Sequence, residues 1–416
     1  MREQHTDPEA LTRFLLGEMS DIEAAEIDRH LSVCSGCRDQ ADETMDLLSL
    51  PFLDGVGSAY DNAFDRALVG VAERLSGLGR ELRSADDLLA ELLREPAPGR
   101  QRRIREDERF HSLKLCQLLR SHGKARWFSD PAAARDAAEL AVGVAECLDP
   151  GRYGAILTAD ARALSWAYLG NACRIASDSW RAEGALRRAW SHHLQGQGEL
   201  DTEGELLVIT SSLRILQNRF DEALQHADQA IAVYRSLGDG QREGATLIKK
   251  GMAMAGSGRF QAAIVETRAG LLRIDAASDP RLLLIGKQNL ARDLLESGEH
   301  VEAGRLLPEL RSLGRDCADN TLQARIDWLE GSFAGHLGRF EEAERRLGET
   351  RDFFLRHESG VDVVLISLHL AEILARAGKP RRVRELLDEV IPLGEAMGLE
   401  RDVLAARLLY AQASGR

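Results

Sequence analysis

The chain has 416 residues, of which 44% are apolar and 5% aromatic, and a formal net charge of -13 at pH 7. That length exceeds one compact core and implies two or three domains or an extended array, while an Ala- and Leu-rich apolar fraction suits close-packed helices and an all-α fold. The acidic balance argues against direct nucleic-acid binding, which rests on neutralising phosphates with Lys and Arg, and no run of about 18 apolar residues exists to span a membrane.

Residues 1–9 carry acidic side chains and no apolar stretch, so no secretory signal is expected. Six scattered cysteines are too few for a disulfide framework and suit a reducing, cytoplasmic compartment. Only six of the 54 basic residues are Lys, a skew toward Arg that fits a GC-rich bacterial genome.

Residues 7–17 read as a short helix, with Asp7 as its cap, Pro8 in the first helical position and Gly17 as its terminator. A second helix comes next, opened by the capping-box pair Ser20 and Glu23 and carrying a buried stripe at Ile22, Ala25, Ile27 and Leu31. His30 and Cys34 are four residues apart and project from one helical face, so both can reach one ion. Cys37 completes Cys34-Ser-Gly-Cys37, a tight knuckle in which Gly36 permits a turn. An antiparallel hairpin would bring His5 beside His30 as the fourth ligand, with a nearby carboxylate or a water as the alternative. Two thiolates and two neutral imidazoles around Zn2+ make a closed tetrahedral site, a staple for a mini-domain too small to stand alone.

The GEMS turn at 17–20 followed by HLSVCSGC at 30–37 resembles the zinc-binding anti-sigma domain of bacteria, over residues 1–50. The resemblance implies core ligands at His30, Cys34 and Cys37, an upstream ligand at His5, and helices that clamp a sigma factor and keep it from RNA polymerase. Some members release it when their thiolates are oxidised, although structural sites of this composition are often inert. The membrane span and external sensor that commonly come after the finger in that family have no counterpart in this sequence. Residues 1–50 hold twelve acidic and four basic side chains, a surface that suits either a basic protein partner or plain solvation.

Residues 51–106 form a connector. A Pro/Gly break at 51–58 precedes one or two amphipathic helices over 59–93, with Phe64, Leu68, Val71, Leu75 and Leu78 at helical spacing, and these are expected to pack on the downstream repeats. The basic stretch EPAPGRQRRIRED at 95–107 reads as a linker with solvated arginines.

Residues 107–416 are a repeat array. NRFDEAL, GRFQAAI, GEHVEAG, GRFEEAE and GKPRRVR start at 218, 258, 298, 338 and 378, forty residues apart each time. A small residue lies seven before each start (Ser211, Gly251, Ala291, Gly331, Ala371) and Ala or Val lies five after it (Ala223, Ala263, Ala303, Ala343, Val383). Small side chains there let paired helices approach, the Gly or Asn ends the first helix, and Phe220, Phe260 or Phe340 fills the corner. The pattern resembles the tetratricopeptide repeat, lengthened from its usual thirty-four or so residues. Looser units around 129–141 and 177–186 bring the total to about seven, and residues 401–414 read as a terminal capping helix. Such hairpins stack into a solenoid whose first helices line a concave groove for a peptide or a partner helix. Groove candidates are Asn171, Arg174, Arg214, Lys249, Lys250, Asn289, Arg292, Trp328 and His369.

No phosphate loop, HExxH or nucleophile elbow is present, so catalysis is not expected. SHGK at 121–124 and LGDGQREG at 237–244 read as hairpin corners, His192 and His193 as a wet loop, and Cys116, Cys147, Cys173 and Cys317 as small buried side chains. The expected function is that of a cytoplasmic zinc-binding regulator. Its head would engage a sigma factor or similar protein, and its repeats would sense or recruit a second partner. The alternative is an assembly adaptor whose zinc domain is a structural cap or a docking module unrelated to transcription.

Overall fold

The computed structural model describes residues 6–15, 19–48, 84–127, 129–317, 319–357 and 359–415. The chain forms two compact units, residues 1–80 and 81–416. His5, Gly17 and the stretch from Phe64 to Leu78 lie outside the described residues.

In the first unit, α1 (Pro8–Leu15), α2 (Asp21–Val33) and α3 (Ser35–Leu48) pack on one another. Pro8 opens α1, where its missing N–H costs nothing, and the Asp7 carbonyl accepts from the Leu11 N–H. The capping pair of α2 forms: Glu23 Oε2 accepts from the Ser20 N–H (3.1 Å) and from its hydroxyl (2.7 Å). The core here is small. Leu11, Ile27 and Ala41 are buried, with Ala10, Phe14, Met19 and Leu31 against them. Ala25, expected on the buried stripe, is exposed because it sits two residues from Ile27, on another side of the helix.

In the second unit, α4 (84–94) and α5 (Ala97–Glu106) precede the array. The stretch read as a solvated linker is thus largely helix. Pro96 and Ala97 open α5, Ile104 is fully buried in it, and Arg100 reaches Asp136 as well as the Leu93 carbonyl. A short helical turn at Glu108–Phe110 then leads into α6 (Leu113–Lys124), which pairs with α7 (Pro131–Glu146).

A four-residue α8 (Pro150–Tyr153) precedes the second hairpin, α9 (Ala155–Ile175) with α10 (Ser179–His193). Five further hairpins complete the series, beginning with α11 (Leu200–Leu216) with α12 (Phe220–Ser236), α13 (Gly240–Gly256) with α14 (Phe260–Leu271), and α15 (Pro280–Glu296) with α16 (His300–Cys317). Next come α17 (Asn320–His336) with α18 (Phe340–Arg356), and α19 (Gly360–Arg376) with α20 (Pro380–Ala396), before α21 (Glu400–Ala413) covers the last pair. The array is all-α, a TPR-like solenoid.

The forty-residue period has a simple origin. Helices α11, α12 and α13 are each 17 residues long, and turns of three residues join them. From α9 onward, each first helix ends on a left-handed residue: Ser177, Asn218, Gly258, Gly298, Gly338 or Gly378. The next N–H then returns to the carbonyl five residues back, as in Arg259 to Met254 (2.9 Å) and Lys379 to Leu374 (2.9 Å), which is a Schellman closure. Close approach explains the small residues. A Cβ on Gly251 would lie 2.3 Å from Thr267 Oγ1 and 3.1 Å from the Ala263 carbonyl, and the facing Ala263 is fully buried. The array also coils back on itself, because the Arg401 guanidinium donates to the Gly256 carbonyl, 145 residues away, and lies over the Phe220 ring.

Candidate functional sites

The first site arises where two helices meet. Cys34 is the single non-helical residue between α2 and α3, and its N–H still bonds the His30 carbonyl, so the two side chains stay one turn apart. Gly36 lies inside the first turn of α3, so the knuckle is a helix-to-helix junction and not a glycine turn. That same first turn carries Cys37, which is fully buried. The donor atoms of His30, Cys34 and Cys37 all lie within 4.8 Å of one another, with His30 Nε2 3.2 Å from Cys37 Sγ. Bonds of about 2.0 Å to nitrogen and 2.3 Å to sulfur at tetrahedral angles place ligand atoms about 3.5 Å apart, so the His30–Cys37 spacing suits Zn2+ and the donor types fit that ion. Thr6, the residue after His5, directs its N–H at Cys37 Sγ from 3.4 Å. That contact brings the chain entering α1 to the cluster.

The second site lies among the first helices of the hairpins, described within the second unit alone. A cavity of about 370 Å³ is lined entirely by residues of α13, α15, α17 and α19. Asn289, Arg292, Trp328 and His369 meet there, together with Met252, Glu296 and Ser332, which the sequence reading did not single out. The register could have found Met252 and Ser332. Asn289, Leu329 and His369 are forty apart, and so are Met252, Arg292 and Ser332, so identical positions in successive units form rows along the groove. Trp328 Nε1 donates to His369 Nδ1 (3.2 Å), which fixes the imidazole as the acceptor. Burial, with Arg292 and His336 nearby, pushes the His369 pKa down to about 4, so this ring stays neutral. Asn289 is buried, and its Nδ2 has no hydrogen-bond partner among the described residues. An amide donor held in that state at a cavity wall suits a ligand acceptor.

The other groove candidates divide. Arg214 is committed to Glu183, Gln217 and Glu222, tying α10, α11 and α12 together. Lys250 bridges Asp228 and Glu266, each at 2.9 Å. Asn171 is buried and accepts from Arg174 Nε (2.9 Å), and Lys249 shares its register with Asn289.

Elsewhere, His193 is buried in the last turn of α10, so the wet-loop expectation fails there, and His192 sits 3.7 Å from Glu146. Residues 121–124 are the last turn of α6, while 237–239 is the expected turn. Cys116 and Cys173 are buried and Cys147 and Cys317 partly so; burial raises the thiol pKa of Cys147, Cys173 and Cys317. None of these has the electropositive, accessible setting of a reactive thiol.

Residues 9–38 match a family model described as "Putative zinc-finger", a span that contains His30, Cys34 and Cys37. No curated protein sequence matches the chain. Similar solved structures include a Rap protein complexed with Competence and Sporulation Factor, at 14% identity and a TM-score of 0.59, covering 73% of this chain and 84% of that one. Aspartyl phosphate phosphatase F from Bacillus subtilis matches at 11% identity and 0.52, over 98% and 93% of the two chains. NprR in complex with its cognate peptide NprX matches at 14% identity and 0.50, over 83% and 97%. At these identities the likeness establishes the fold.

Proposed function

We propose that this protein is a regulatory interaction protein, in which a zinc-stapled helical head docks on a protein partner and the groove of the array binds a short peptide. The observation that carries the peptide half is the cavity built by α13, α15, α17 and α19. It offers an aromatic wall at Trp328 and an unpartnered buried amide at Asn289, an arrangement suited to holding an extended backbone while packing one apolar side chain. Two of the similar folds are described as complexed with Competence and Sporulation Factor and with a cognate peptide, and the second supports carrying a peptide ligand to this groove. For the head, the zinc-finger match and its resemblance to anti-sigma domains support a sigma factor as the partner. No catalytic role is assigned to either site. The second reading, an assembly adaptor with the zinc unit as a structural cap, is favoured by how completely Cys37 is buried.

Two measurements on the full-length chain test this. Fluorescence polarisation with labelled hexapeptide libraries should detect binding that Asn289→Ala and Trp328→Ala each weaken by roughly tenfold, the effect of one lost buried hydrogen bond or aromatic contact. Absence of binding by every library removes the peptide groove. Co-purification with each sigma factor of the source organism should yield a zinc-dependent complex, and failure with all of them leaves the adaptor.

A further inference from the structure

Ion pairs hold many of the array's cations, and those left without one on the first helices bear on the groove's ligand. On the first helices, Arg214 and Lys250 have carboxylate partners, Arg292 pairs with Asp293, and Arg325 pairs with Asp362. Arg174 and Lys249 have none among the described residues. Arg174 spends its Nε on Asn171 Oδ1, which aims the guanidinium and leaves both terminal amino groups without an acceptor among the described residues. Counted from the left-handed residue that ends each first helix, Arg174 (three before Ser177) matches Leu295 (three before Gly298), and Lys249 matches Asn289 and His369; Leu295, Asn289 and His369 all line the cavity. The two side chains therefore belong to the groove rows, on α9 and α13, with α11 between them.

We propose that Arg174 and Lys249 together receive a carboxylate of the groove's peptide ligand, supplied either by an Asp or Glu side chain or by its C-terminus. A guanidinium fork and an ammonium point charge are complementary to a carboxylate, and a half-desolvated setting strengthens that pairing relative to water. Without the ligand the arrangement is costly. Burial and the neighbouring Arg174 lower the Lys249 pKa to about 7, and burial lowers that of Arg174 to about 10. Two like charges held in a partly dehydrated groove with no counter-ion destabilise the empty protein, and such local cost is what a binding site retains for its ligand.

The assignment rests on the peptide-binding groove proposed above and adds the ligand's charge. The test uses full-length protein and positional-scanning hexapeptide libraries in free-acid and C-terminally amidated forms, with inorganic phosphate as a competitor. Wild type should select Asp or Glu at one position, or lose binding on amidation, and the two library forms identify which carboxylate is used. Lys249→Met and Arg174→Met should each abolish that selection and weaken the acidic ligands by roughly tenfold or more. Both variants should also unfold at a higher temperature than wild type when empty, a shift that a merely structural cation would not give. Peptide binding that is blind to acid, or acid selection unchanged in both variants, overturns the inference while the groove stands. No peptide binding at all overturns both. Phosphate binding without peptide binding marks a small-anion site and overturns the proposal as well.

Discussion

Removing the metal from the first unit should unfold that unit and leave the array intact. Among its described residues, only Leu11 and Ile27 are large, buried and apolar, and each contributes about 1.5–3 kcal/mol. A structural Zn2+ held by thiolates and imidazole contributes roughly 10–16 kcal/mol at neutral pH, several times the contribution of that core. The second unit has no such dependence, since its last hairpins alone bury an apolar cluster from Ala324 to Ala406. The perturbation is chelation, or Cys34→Ser with Cys37→Ser, in the full-length chain. Hydrogen exchange read by mass spectrometry reports each segment separately. Backbone amides in 8–48 should lose protection by several orders of magnitude, while those of α11 to α14 remain unchanged, and elemental analysis should give one zinc per chain beforehand. Protection in 8–48 that survives metal loss would refute the staple, as would a native preparation without stoichiometric metal.

The same substitution should act with opposite sign at two glycines. Gly251→Ala forces a Cβ against Thr267 and the Ala263 carbonyl, and about 1–3 kcal/mol of overpacking exceeds the ~1 kcal/mol gain in helix propensity. Gly348→Ala meets nothing within 4 Å and keeps the propensity gain, so urea midpoints should move apart, and equal shifts would contradict the close-approach account. His369 gives a pH signature. Its folded pKa of about 4 lies below the unfolded value of 6.5, so the unfolded chain binds the extra proton in between. The stability is whole above about pH 6.5 and falls as pH drops toward 4, by up to roughly 3 kcal/mol. His369→Gln, compared with wild type in urea titrations across that window, should flatten the slope.

The clustering of His30, Cys34 and Cys37 was legible because its geometry is local. A four-residue step along a helix fixes His30 beside Cys34 whatever the rest of the chain does, and Cys37 lies within the next turn. The array was legible for a related reason: each unit repeats the same Schellman ending and the same small-residue contacts, so forty-residue self-similarity is a direct record of hairpin packing. What misled was composition. The stretch at 95–107 looks like a basic linker, yet its arginines find Glu91, Asp107 and Asp136, and Ile104 finds a core, so it folds as α5.

Sequence by itself determined the helical class, the repeat register, the helix endings and the closeness of His30, Cys34 and Cys37, all of which depend on residues within a turn or a hairpin of one another. Tertiary structure alone decided which cations are free. Lys249 and Lys250 are neighbours in sequence, but successive residues on a helix point about 100° apart. One therefore faces the groove row, and the other meets Asp228 and Glu266 on the second helices of two hairpins. Whether a charge is cancelled depends on groups brought near by packing, often from the next unit, and no spacing rule within a single helix carries that information.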